Sequence, residues 1–279
     1  AKKHVIRDIS LTLHEGEFTA LLGLNGSGKT TLMRGICGLK KPAGGTCTWG
    51  GTDILGLNEK KRARLISFIP QRHSVVYDTS VIDVVMMGFN PSMYFFQSPG
   101  KKHRLLALET LQSLGIGQLA DENFLHLSEG QKQLVILSRA LIQNTPVMLM
   151  DEPDSALDFV NRSLVLSKIR DIIHERKKCG LITMHDPNFA LQYCDRLLLM
   201  SDGRIIDELV ITRRVYGVSC SEGSPGAIPG DGSIPDVSGT SGAIGFPISG
   251  VRDIKEKLSK IYGDIDIIKH NNRYLIVRE

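Results

Sequence analysis

Apolar and polar residues alternate along the first part of this chain, and then the period changes. Val5-Ile6-Arg7-Asp8-Ile9-Ser10-Leu11-Thr12-Leu13 reads as a strand, with further strands at Glu17–Leu22, Gly45–Trp49 and Ile66–Pro70 and a helix from Lys29. From about Ser80 to Asn144 the apolar positions follow a helical period. Val81, Val84, Val85 and Met86 make one face, and Leu105, Leu108, Leu111 and Leu114 make another. Val147–Met150 is a short continuous apolar run, the mark of a central parallel strand buried on both faces. A helix at Asn161–Arg176 and strands at Gly180–Met184 and Arg196–Met200 follow. Strands alternating with helices predict an α/β domain whose sheet is largely parallel, with the helical stretch as an inserted subdomain.

Residues 219–250 break the pattern. Gly, Ser and Pro dominate there, as in Ser238-Gly239-Thr240-Ser241-Gly242, which predicts a flexible insertion without catalytic content. Val251–Tyr262 is again helical, and Ile265–Lys269 and Tyr274–Val277 read as a hairpin about Asn271-Asn272.

Between the second strand and the first helix, Gly23-Leu24-Asn25-Gly26-Ser27-Gly28-Lys29-Thr30 spells a complete phosphate-binding loop. The order of strand, glycine loop and helix is the required one, because backbone N–H groups and the helix N-terminus must converge on the β- and γ-phosphates. Lys29 would bring a point charge to those phosphates, and Thr30 would offer its hydroxyl to Mg²⁺. The chain is therefore expected to bind a nucleoside triphosphate.

Composition narrows the classes further. With 42% hydrophobic and 23% charged residues the chain is an ordinary globular protein, and its net charge of +4 is too small to argue for nucleic acid. Lys60-Lys61-Arg62, Lys101-Lys102-His103-Arg104 and Arg176-Lys177-Lys178 read as solvated helix faces. Cys37, Cys47, Cys179, Cys194 and Cys220 are scattered without a CxxC pair, which argues against a zinc site or disulfide framework and suits a reducing compartment. No apolar run approaches a bilayer span and no signal peptide is visible. Because Ala1 leads almost at once into a strand pattern, a trimmed N-terminus is expected.

A phosphate loop alone leaves GTPases, kinases and motor ATPases open. Met148-Leu149-Met150-Asp151-Glu152 closes most of that space: an apolar strand delivers Asp151 to the carboxyl edge of the sheet to hold Mg²⁺, and Glu152 follows it to polarise the attacking water. Leu127-Ser128-Glu129-Gly130-Gln131 stands just ahead of a helix, and Ser128 suits an N-cap whose N–H groups could grip an anion. In that position it resembles the signature sequence of the ATP-binding cassette (ABC) ATPases. The resemblance extends over the whole cassette. Gln71 after Phe68-Ile69-Pro70 looks like the family's Q-loop glutamine, Asp151-Glu152-Pro153-Asp154-Ser155-Ala156-Leu157-Asp158 like the Walker B end and D-loop, and His185 in Thr183-Met184-His185-Asp186 like the switch histidine.

The resemblance implies a P-loop NTPase (RecA-like) fold: a mixed sheet core over about 1–72 and 146–210, an inserted α-helical subdomain over about 73–145, and a small N-terminal antiparallel β portion. The cassette would end near 218, followed by the 219–250 insertion and a small unit at 251–279. It implies two copies joined head to tail around two ATP molecules. Each ATP would meet Gly23, Leu24, Asn25, Gly26, Ser27, Gly28, Lys29, Thr30, Thr31, Gln71, Asp151, Glu152 and His185 of one copy and Ser128, Gly130 and Gln131 of the other. Thr30, Gln71 and Asp151 would hold Mg²⁺, Lys29 would stabilise the transferred group, Glu152 would activate water and His185 would bond the γ-phosphate. Asp158 would connect the two sites.

Three departures from the family pattern stand out. Glu129 replaces a glycine and is expected to face away from the phosphate. Asp154 stands where Thr is usual. The adenine-stacking aromatic is expected upstream of Ala1, since neither Lys2 nor His4 replaces it.

A single cassette without membrane spans resembles the ATPase subunit of an importer, working at the cytoplasmic face of the membrane with polytopic permease subunits and, through them, a substrate-binding protein. Val84-Val85-Met86-Met87-Gly88-Phe89-Asn90-Pro91, the run from His185 to Asp195 and the closing Ile261–Lys269 are similar to subunits serving iron–siderophore, haem and cobalamin importers. Met86, Met87, Met93, Tyr94, Phe95 and Phe96 would line a groove for a permease helix or pack the helical subdomain. Importers of other metal ions or molybdate, exporters, and ATPases acting on ribosomes or DNA are the alternatives. The single phosphate loop and the lack of heptads weigh against the last of these.

Overall fold

The computed structural model describes residues 5–71, 78–94, 97–155, 157–211, 248–270 and 273–278. Lys2, His4, Phe95, Phe96 and the insertion expected at 219–250, except its last three residues, lie outside them.

In chain order the elements begin with β1 (Phe18–Leu22), α1 (Lys29–Ile36), β2 (Thr48–Trp49), β3 (Thr52–Asp53), α2 (Glu59–Ala63) and β4 (Ile66–Ile69). A helical stretch follows: α3 (Val81–Met86), α4 (Lys101–Ser113) and α5 (Glu129–Gln143). The chain then returns through β5 (Val147–Asp151), α6 (Phe159–Glu175), β6 (Cys179–Met184), α7 (Pro187–Tyr193), β7 (Arg196–Ser201) and β8 (Arg204–Val210). It closes with α8 (Ile248–Tyr262), β9 (Ile265–His270) and β10 (Arg273–Arg278). The main sheet is six-stranded in the order β4-β5-β6-β1-β7-β8, and only β8 runs antiparallel to its neighbour. The fold is thus the mixed-sheet α/β class, with β2 and β3 as a small antiparallel pair.

The continuous apolar strands serve two cores at once, because successive side chains leave a strand on opposite faces. Ala20, Leu22, Met148, Met150, Ile182 and Met184 join one core with the helical stretch, α6 and α7. Leu21, Leu149 and Leu181 join the other with Met33 of α1.

Three expectations need correcting. The strand expected at Gly45–Trp49 is confined to Thr48–Trp49, since Gly45 takes φ 95. Val5–Leu13 forms no strand: Asp8 adopts φ 47, which interrupts the extended run. Its alternation records packing instead, since Ile6, Ile9, Leu11 and Leu13 lie half-buried on the second core. In α4, Leu105 is exposed while Ala107, Leu111 and Leu114 are buried. At about 100° per residue, the six-residue step from Leu105 to Leu111 turns it to the other side of the helix. Of the candidate groove residues, Met93 is buried, Met86 packs partly on the core, and Met87 and Tyr94 are exposed.

Candidate functional site

Strand register gathers the predicted residues at one edge of the sheet. Ile69 pairs with Met150, Met150 with Ile182, and Leu22 with Met184. The residues that leave the carboxyl ends next are therefore Gln71, Asp151 and Glu152, His185, and the glycine loop at Gly23. Ligands of open α/β sheets bind at such an edge.

The loop is held by close approaches. A Cβ on Gly23 would stand 2.4 Å from the Met200 carbonyl of β7, so only glycine lets the loop start there. Gly28 takes φ 110 and caps α1, a conformation that glycine adopts without strain. The Lys29 ammonium arches over the loop to the carbonyls of Gly23 (2.7 Å) and Leu24 (3.3 Å). Burial pushes the Lys29 pKa down, and the nearby charges of Glu152 and Asp151 work against that shift. The buried Ser27 hydroxyl has no hydrogen-bond partner among the described residues.

Behind the loop, Thr30 Oγ1 lies 3.2 Å from Asp151 Oδ1, and Asp151 is fully buried. A hydroxyl and a carboxylate are hard oxygen donors, so the pair fits a Mg²⁺ ion that takes its other ligands from phosphate and water. Thr183 on β6 donates its hydroxyl to the same carboxylate oxygen at 2.8 Å and accepts the Glu152 N–H at 2.9 Å. That second bond holds Glu152 at φ 49, in the left-handed region where non-glycine residues are uncommon. The Glu152 carboxylate is gripped on both sides. Gln71 Nε2 donates to Oε2 at 2.5 Å, and His185 Nε2 lies 2.5 Å from Oε1.

Sequence reasoning missed Thr183 as a working residue. It stands across the register from Asp151, so the pairing of β5 with β6 was the signal. Thr183→Val keeps the shape but leaves the buried Glu152 N–H without a partner and takes one of two donors from Asp151 Oδ1, at about 1–3 kcal/mol of stability. Thermal unfolding should report that loss, and turnover should fall about tenfold as Asp151 and Glu152 shift. Wild-type turnover in this variant would make Thr183 purely structural.

The other predicted residues have their own contacts. Ser128 is the N-cap of α5 in a reciprocal box: its hydroxyl accepts the Gln131 N–H at 3.3 Å, and Gln131 Oε1 accepts the Ser128 N–H at 3.0 Å. The exposed Glu129 carboxylate pairs with Lys132 at 2.8 Å. Asp158 caps α6, accepting from the backbone N–H of Asn161 at 2.9 Å. Asp154 is buried against Arg162 Nε at 3.3 Å, and burial pushes its pKa up against the pull of that cation. Among the described residues no helix is long and apolar enough to cross a membrane.

Comparison with known proteins adds the family context. The model of the family described as ABC transporter matches residues 6–155. A Helicobacter pylori protein named probable iron chelatin transport ATP-binding protein is 35% identical over 209 residues, covering 74% of this chain and 81% of that protein. A hemin import ATP-binding protein of Bordetella bronchiseptica is 34% identical over 242 residues, covering 81% and 91%. Among solved structures, the dimeric ATP-binding cassette MJ0796, in a post-hydrolysis state bound to ADP and Pi, aligns with a TM-score of 0.68 at 27% identity, covering 75% and 91%.

Proposed function

Since this chain belongs to the ABC transporter family and is an ATPase, we propose that it energises a membrane importer, one carrying an iron–siderophore, haem or cobalamin-type substrate. The observation that carries the hydrolytic part is the Glu152 carboxylate, poised between Gln71 and His185 beside the Thr30–Asp151 pair. The relatives described above support the importer part.

ATP lies with its phosphates on Gly23–Thr31, where backbone N–H groups and the Lys29 ammonium meet the negative charge. A Mg²⁺ ion bound by Thr30 and Asp151, with Gln71 beside them, would supply further positive charge against the phosphates. Glu152 takes a proton from the attacking water as it adds in line to the γ-phosphorus, and the bond to the bridging oxygen of ADP breaks. His185 turns from Glu152 toward the γ-phosphate and donates to it, while Gln71 reports occupancy to the helical stretch. A second copy of the chain, packed head to tail, closes the site with Ser128, Gly130 and Gln131, and Asp158 links the two sites. Glu129 does not oppose the incoming anion, because Lys132 neutralises it locally.

Closing and opening of that pair drives polytopic permease subunits, which a substrate-binding protein loads. The chain sits peripherally at the cytoplasmic face. The exposed Met87 and Tyr94 supply apolar surface for a permease helix. Purification of the full chain from mild-detergent extracts of its own cells tests this, with the expected result a polytopic membrane protein in stoichiometric amount and ATPase activity that rises with it. Copurifying ribosomes or DNA would transfer the chain to the non-transport class.

A further inference from the structure

His185 needs its backbone held at a fixed height if its ring is to reach a phosphate, and two struts from the far end of the chain reach its segment, one at the His185 carbonyl and one at the Asn188 side chain. Tyr262, in the last turn of α8, donates its hydroxyl to the His185 carbonyl at 3.2 Å. Three residues beyond His185, Asn188 makes a two-point contact with β10: the Ile276 N–H donates to Oδ1 at 2.7 Å, and Nδ2 donates to the Ile276 carbonyl at 3.2 Å. Between them, Asp186 caps α7 by accepting the Asn188 N–H at 2.9 Å.

The struts are themselves anchored. Ile254, Leu258, Ile261 and Ile265 are buried in the main core, and Lys260 pairs with Asp207 of β8 at 2.6 Å. Tyr262, Ile265 and Ile276 also line one cleft of about 510 Å³ with His185, Asn188 and the tip of the glycine loop at Gly23–Asn25. The C-terminal unit therefore touches the segment that carries His185, beside the tip of the glycine loop. Burial, aided by the negative charge of Asp186, pushes the Tyr262 phenol up, so it remains a donor through the neutral range.

We propose that the C-terminal helix and hairpin form a clamp on the His185 segment, with Tyr262 as a positioning residue that sets where the His185 ring meets the γ-phosphate. The proposal rests on the role given to His185 above. Its physical basis is geometric: a displacement of about 1 Å in a group that touches the reacting phosphate can cost up to about 10²-fold in rate.

Tyr262→Phe removes the hydroxyl and keeps the ring that fills the core, and Asn188→Ala removes the second strut without altering α8. Measurements on the full chain would be kcat, KM for MgATP, the nucleotide Kd and thermal unfolding, with His185→Ala as the reference. The expected result is a fall in kcat of about tenfold in either variant, with KM and Kd within about twofold of the parent. A clamp that only stabilised the fold would lower the melting temperature and leave kcat alone. A kcat within about twofold of the parent in both variants, or a rise in KM at constant kcat, would overturn the proposal. Should Tyr262→Phe fail to fold, Asn188→Ala decides alone by the same criterion. The reference variant separates two failures. If His185→Ala keeps full turnover, the role of His185 is wrong. If it abolishes turnover while both strut variants stay active, only the clamp is wrong.

Discussion

Glu152→Gln will lower steady-state ATP turnover by about 10²-fold or more while leaving nucleotide binding intact. The substitution is close to isosteric, so the contacts around it survive in altered form. Its amide oxygen can still accept from Gln71 Nε2, and its amide nitrogen faces the His185 ring, the two groups that now hold the carboxylate at 2.5 Å each. The backbone bond from Glu152 N–H to Thr183 at 2.9 Å is untouched, so the loop keeps its shape. What disappears is the carboxylate oxygen proposed above to accept the proton of water. In the head-to-tail pair proposed above, a triphosphate that binds but does not react would keep two copies of the chain closed. Light scattering with ATP and Mg²⁺ should therefore show a dimer that persists, and a single-turnover assay should show bound ATP without Pi. Turnover near the parental rate would remove Glu152 as the base.

Lys29→Ala is expected to abolish hydrolysis for a different reason, by a factor of about 10²–10³ in kcat/KM, with weakened nucleotide binding as part of it. Asp151 and Glu152 are both buried and both close enough to raise the Lys29 pKa against the opposing effect of burial. Removing the ammonium leaves two neighbouring carboxylates with less compensation, and the site that must receive a polyanion becomes more negative. Fold stability should change less than binding does. The variant sheds the desolvation cost of a buried cation and loses two hydrogen bonds to loop carbonyls in exchange. Calorimetric titration with a non-hydrolysed ATP analogue, beside thermal unfolding, reads both quantities. Unchanged hydrolysis in Lys29→Ala would sink the whole account of the site.

These two side chains were legible in the sequence because each lies in a contiguous stretch whose local chemistry is complete. The loop from Gly23 to Thr30 follows its own strand, has Gly26 and Gly28 at positive φ, and runs into its helix start. Asp151 and Glu152 end a run that is apolar at every position, and such a run is buried on both faces wherever it sits in a parallel sheet. The capping box at Ser128 and Gln131 is likewise a relation between residues three apart.

Periodicity misled where an alternating segment lacked a partner. Val5–Leu13 has the side-chain pattern of a strand, yet strand pairing requires a second backbone in register, and Asp8 at φ 47 turns the chain away. For Leu105 the apolar spacing was right in kind but out of phase with Ala107, Leu111 and Leu114, which are buried in the main core.

From its residues alone, then, the chain determined the phosphate loop, the carboxylate pair that ends β5 and the order of helices and strands, since each depends on neighbours within a few positions. Tertiary structure alone decided that β6 lies between β5 and β1, and so made Thr183 the hydroxyl joining Asp151 to Glu152. It also decided that Tyr262 and the Ile276 backbone reach the His185 segment from the far end of the chain. Such contacts depend on which surfaces bury against each other when the sheet closes, and no local period encodes that choice.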